Sequence, residues 1–183
     1  MKKLILFSGI FLLFLSCDDL YKTTVYVKFD NKTFFDQKQL WQSSDIKNYS
    51  YNLSLSYPPA SGYNGKIIVE NSIYVDNIPS LELYTIDDEN DWKKYSTIDT
   101  IYFTIENIFI DNSNIKVSRN DVYLEEIIVE YNKVNHFPTK INYIYYYPGN
   151  YNMSPDFVLR TIYLNDFEED FKILYSLYPP LKL

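Results

Sequence analysis

One cysteine, one histidine, two arginines, one alanine and four glycines in 183 residues mark this chain by what it lacks. Cys17 is the only thiol, so neither an intrachain disulfide nor a zinc–thiolate site can be built. His136 stands alone, which excludes a metal site resting on two or three histidines. As a general base it would need a nucleophile, and no Gly-x-Ser-x-Gly is present. It precedes Phe137-Pro138 between two apolar stretches, the place of a turn residue. Only Gly62, Gly65 and Gly149 lie beyond the N-terminal apolar run, too few and wrongly spaced for a dinucleotide or phosphate loop. No catalytic set, metal site or cofactor is expected.

What is present is the balance of one globular domain, 46% hydrophobic and 22% charged. The 20 Tyr and 12 Phe stand beside abundant Ile, Asn and Lys. These residues have AT-rich codons, and the scarce Gly, Ala and Arg have GC-rich ones. A genome of low GC content therefore accounts for most of the tyrosine excess.

Residues Met1–Cys17 read as an address. Lys2 and Lys3 precede an apolar run, Leu4–Leu15, broken only by Ser8 and Gly9. At roughly 12 residues it falls short of the ~20 that span a bilayer, but it fits the core of a signal peptide. Leu13-Phe14-Leu15-Ser16-Cys17 resembles the lipobox of bacterial lipoproteins, with Phe14 where an aliphatic residue is usual and Leu15 where a small one is usual. The resemblance implies cleavage between Ser16 and Cys17, acylation of Cys17, and a membrane-anchored lipoprotein on the extracytoplasmic side of a bacterial envelope. Each buried acyl CH₂ contributes about 0.8 kcal/mol, so several chains hold a domain on a membrane. An ordinary secretory signal and an uncleaved anchor are the other readings. Cleavage would lower Lys+Arg from 17 to 15 against 24 Asp+Glu, giving a side-chain charge of −9. So acidic a domain repels nucleic acid, and no nucleic-acid partner is expected.

The rest of the chain divides into 17–30, a lipidated lead-in, and 31–183, a single α+β domain. Within the lead-in, Val25, Val27 and Phe29 alternate with polar residues as a short strand would. Asn31–Ser44 reads as a helix capped by Asp30 or Asn31. From Asn48 to Tyr57 the alternation is strict: Tyr49, Tyr51, Leu53, Leu55 and Tyr57 on one face, Asn and Ser on the other. That period of two predicts a half-buried antiparallel strand with a wet face. Pro58-Pro59 stops it and Gly62 to Gly65 is expected to turn the chain. Lys66–Glu70 and Ile73–Asp76 read as short strands around Asn71-Ser72. Ser96–Phe109 reads as a second helix capped by Ser96, and Val122–Tyr131, Thr139–Tyr147 and Phe157–Leu164 as three strands. Asn165–Leu177 suits a final helix, with a long last strand as the alternative. The expectation is an antiparallel sheet of about six strands with two or three helices packed on it.

The run Asp87–Asp91 resembles a calcium loop only in charge, since Trp92 and Ile98 fall where a glycine and a glutamate are needed. Glu125 and Glu126 are adjacent on a strand and point to opposite faces, so they cannot form a catalytic carboxylate pair with each other. Glu168-Glu169-Asp170 is a second acidic cluster. Tyr143, Tyr145 and Tyr147 share one strand face with Ile141. Sheet packing explains most of this, and an exposed face would offer a platform for a partner protein or glycan.

Several segments together resemble an uncharacterised family of small exported bacterial proteins. They are Trp41, Asn48-Tyr49-Ser50-Tyr51, Pro58-Pro59, Gly65-Lys66-Ile67-Ile68-Val69, Thr97-Ile98-Asp99, Val129-Glu130-Tyr131-Asn132 and Phe137-Pro138-Thr139-Lys140-Ile141. His136 takes the family's glycine position, and Leu55 and Tyr57 stand where relatives often carry cysteines. The resemblance implies an exported or lipidated domain and no activity. The functional expectation is a membrane-anchored lipoprotein acting as a non-enzymatic binding or structural domain. A carboxylate-dependent hydrolase or carbohydrate-active enzyme, and a carrier of a small apolar ligand, are the alternatives.

Overall fold

The computed structural model describes residues 22–57, 60–75, 91–148 and 156–169. The elements in chain order are β1 (Thr23–Val25), β2 (Lys28–Phe29), α1 (Asn31–Ser43), β3 (Tyr49–Tyr57), β4 (Ala60–Glu70), β5 (Ile73–Tyr74), a 3₁₀ turn (Asp91–Tyr95), α2 (Ile98–Asn112), β6 (Ile115–Val117), β7 (Tyr123–Tyr131), β8 (Pro138–Tyr147) and β9 (Asp156–Glu169). Asp30 caps α1 by accepting the Thr33 N–H at 3.0 Å. Thr97, not Ser96, caps α2. Its hydroxyl accepts from Thr100 N–H while the Thr100 hydroxyl accepts from Thr97 N–H. The Ser96 hydroxyl instead donates to the Lys93 carbonyl at 2.8 Å.

Among the described residues, seven strands form one sheet in the order β2-β7-β8-β9-β3-β4-β5, and β1 pairs with β6 in a small second sheet. Every pairing is antiparallel except β2 with β7. Tyr49, Tyr51, Leu53 and Leu55 share one face of β3 and are buried. The register continues that face through Ile67 and Val69, Ile162 and Leu164, Ile141 and Tyr143, and Ile127. Both helices lie on it. Trp41 of α1 meets Tyr49 edge-on at 5.4 Å, and Phe34 meets Tyr102 of α2 at 5.5 Å. Ile98, Ile101, Tyr102 and Ile105 of α2 complete the same core.

The architecture is α+β, with more strands than the six expected. β6 at Ile115–Val117 was not expected, and the one short strand expected in the lead-in is two, β1 and β2. The described part of the lead-in, from Lys22 on, packs with the domain, because Phe29 of β2 meets Phe34 and Phe109 at 5.1 and 5.0 Å. The expected turn at Gly62–Gly65 is a strand. Tyr57 pairs with Ala60, and Gly65 sits in the ladder opposite Leu53. The expected final helix from Asn165 is also a strand as far as Glu169. Asn165 pairs with Asn52 and Glu168 with Ser50, so ladder pairing wins over a helical capping pattern. Residues 170–177 of that segment lie outside the described residues. Asn71 and Ser72 both take positive φ, 51° and 66°, in the two-residue hairpin joining β4 to β5.

Candidate functional site

Tyr143, Tyr145 and Tyr147 do share a face, and it is the helix-covered one. Tyr143 is 2% exposed, opposite Ile127. Tyr145 packs partly buried against the core, with the Arg160 guanidinium 5.2 Å from its ring centre. Only Tyr147, 36% exposed at the strand's end, meets solvent substantially. Tyr143 therefore cannot serve as an open platform. The strand alternation was legible, but which face the helices would cover was not.

The opposite face of β7, β8 and β9 is partly accessible, although Thr161 on it is buried. The register sets its side chains in rows across the strands: Glu130–Lys140–Tyr163, Ile128–Asn142–Thr161, Glu126–Ile144–Leu159 and Tyr123–Tyr146. Ile128, Leu159 and Tyr163 are 40%, 44% and 38% exposed. Tyr123 and Tyr146 stack at 4.9 Å. At the other end Lys140 pairs with Glu130 at 3.2 Å and lies 5.8 Å from the Tyr163 ring centre. The patch thus runs from a charged row through aliphatic side chains to an aromatic pair. Sequence reading missed Ile128 and Leu159 because an aliphatic residue on a strand looks the same whichever face is covered.

At the edge of this patch an open groove of about 290 Å³ lies where β7 passes β2 and the start of α1. Ile127, Ile128 and Val129 form its apolar side, and Asp30, Glu126 and Tyr131 its polar side. Glu126, whose distant partners the sequence could not give, thus shares a groove with Asp30. The Asp30 carboxyl is held below its usual range by its hydrogen bonds to Thr33, so it stays ionised. A hydrolase would use such a group as base or nucleophile and would need a second, protonated carboxyl as acid. Burial pushes the Tyr131 hydroxyl up, and the nearby Asp30 charge adds to it. This groove has a charged mouth, unlike the deep apolar pocket of a lipid carrier.

His136 occupies the β7–β8 turn with φ of 61°. Its backbone N–H donates to the Asn132 carbonyl, its carbonyl accepts from the Tyr102 hydroxyl, and its Nδ1 lies 3.0 Å from Gln37 Oε1. The histidine is a structural junction between both helices and the hairpin. Ser50, expected on the wet face, is buried with its hydroxyl donating to Glu168 at 3.3 Å, and Lys66 reaches the same carboxylate at 3.4 Å. Asp166 accepts from Asn52 at 2.7 Å. These carboxylates face amides and cations. Among the described residues no three His, Cys, Asp or Glu side chains gather as a metal site, and no helix is long and apolar enough to cross a membrane. Ser16, Cys17 and the acidic run from Asp87 to Asn90 lie outside the described residues. No family model, curated protein or solved structure matches the chain.

Proposed function

We propose that the protein is a lipid-anchored lipoprotein of a bacterial envelope, and that its domain binds an envelope protein or glycan through the sheet face its helices leave open. The Leu13–Cys17 resemblance to a lipobox supports the anchor, and the observation that carries the binding face is the aliphatic and aromatic patch of Ile128, Leu159, Tyr163 and the Tyr123–Tyr146 pair. A strand face normally alternates apolar-in and polar-out. Here the outward positions of three adjacent strands hold large apolar groups beside a charged row, the composition of a recognition surface. Tyrosine supplies contact area with few rotors to immobilise.

Two measurements test the parts separately. Cys17→Ser should abolish metabolic acyl labelling and move the protein to the soluble fraction; unchanged membrane retention overturns the anchor. Leu159→Ser with Tyr163→Ser should keep the circular dichroism of the wild type and lose crosslinks to the envelope component that the wild type captures. Equal crosslinking by both proteins overturns the face as the binding surface.

A further inference from the structure

The sheet has an edge that its own short strand does not close. β2 pairs with β7 only at Lys28↔Glu126 and Phe29↔Ile127, while β7 runs on to Tyr131. Among the described residues no strand pairs with Ile128–Tyr131 on that side. An open strand edge presents backbone N–H and C=O groups ready to pair with another chain. Sheet proteins usually blunt such an edge with lysine, proline or a covering element. The sequence of this stretch is Ile-Val-Glu-Tyr, with strong strand formers and neither lysine nor proline. The groove of about 290 Å³ runs beside it, so there is room for a chain.

The charges at the groove select its occupant. Lys28 is paired with Glu125 at 3.3 Å, so its charge is answered locally. Asp30 and Glu126 form no ion pair among the described residues, although the Lys32 charge acts on Asp30 and Lys28 stands opposite Glu126 in the ladder. The groove therefore offers an apolar floor, a strand edge and two carboxylates.

We infer that the β7 edge beyond β2 takes an extended, lysine- or arginine-bearing segment of a partner protein as an added strand, with a cationic side chain held by Asp30 and Glu126. This rests on the reading of the domain as a binding module and specifies the partner as a polypeptide. Backbone pairing supplies the strand-to-strand affinity, and the side-chain period of two places alternate residues of the segment toward the groove.

The test uses the full-length protein in detergent and three synthetic octapeptides. One alternates lysine and valine, the second is the same peptide N-methylated at alternate residues, and the third carries glutamate in place of lysine. The lysine peptide should bind, and the other two should bind at least about tenfold more weakly, since one loses the ladder and the other the charge match. Asp30→Asn with Glu126→Gln should weaken the lysine peptide about tenfold, the scale of two exposed charge pairs. Asparagine caps a helix as well as aspartate, so α1 is retained. No binding of the lysine peptide, equal binding of all three, or equal binding to the variant overturns the inference. So does a wild-type dimer, or a crosslink from residues 17–21 of the same chain, that occupies the edge. Should the lysine peptide fail while Leu159→Ser with Tyr163→Ser still loses its crosslinked partner, the edge inference falls and the open-face reading stands.

Discussion

The Tyr49 hydroxyl accepts the Ile98 backbone N–H at 3.0 Å, at the first turn of α2. The first four N–H groups of a helix have no partner within it, so a buried start needs acceptors from elsewhere. Thr97 satisfies one and Tyr49 another, fastening α2 to β3 through a side chain whose ring is also core. Tyr51 does the same for the preceding 3₁₀ turn, its hydroxyl donating to the Tyr95 carbonyl at 2.5 Å. Tyr49→Phe keeps the ring and strands a buried N–H, so it should cost about 1–3 kcal/mol of unfolding free energy. Thr97→Ala should cost about 1 kcal/mol. Both are read from urea denaturation, and a Tyr49→Phe protein as stable as wild type would show that water replaces the hydroxyl. The tyrosine-rich composition hid this role. Periodicity marks Tyr49 as inward-facing and cannot say what its hydroxyl meets.

At the scale of elements, the last described strand closes the sheet. β9 lies between β8 and β3, so it joins the α1–β3–β4 half to the α2–β7–β8 half. Its two faces differ sharply: Leu164 is buried against Leu53, while Leu159 is 44% exposed. Leu164→Ala should therefore lower stability by about 2–5 kcal/mol, and Leu159→Ala by no more than about 0.5 kcal/mol. Equal losses would mean that the outer face is covered in the folded protein. Much of this layout was legible. The period of two from Tyr49 to Tyr57 reads directly as β3, and Ile98, Ile101, Tyr102 and Ile105 as the buried stripe of α2. Long-range pairing was not. Asn165 followed by Glu168 is a sound helix start locally, yet Asn52 and Ser50 offer those residues ladder partners over a hundred positions away. The short strands β2 and β5 are legible from local pattern, but that β2 pairs with β7 is set by residues far away in the chain. The groove was illegible for the same reason, because it needs β7 beside the cap of α1.

Across the whole molecule, the buried tyrosines link stability to alkaline pH. Tyr49, Tyr102 and Tyr131 all have hydroxyls raised above the ordinary tyrosine value of 10.0, with desolvation the largest cause in each. They surround one helix. Tyr49 meets its first turn, Tyr102 is part of it, and Tyr131 stacks on Tyr102 at 6.5 Å. A group whose folded value is raised contributes stability in full below its unfolded value and loses it as pH rises toward the folded one. Stability should therefore be level with respect to these groups up to about pH 10 and fall steeply above it, as the unfolded chain releases protons the folded chain retains. The acidic chain, with a formal charge of −7 at pH 7, adds general repulsion at high pH. That background acts on every variant alike, so the buried hydroxyls are isolated by comparison. The triple variant Tyr49→Phe, Tyr102→Phe and Tyr131→Phe should start less stable at pH 8, having lost the Ile98 and His136 hydrogen bonds, yet decline with a shallower slope between pH 10 and 12. Urea unfolding at each pH measures both quantities. Parallel slopes for wild type and variant would mean that these three hydroxyls ionise as readily in the folded protein as in the unfolded chain.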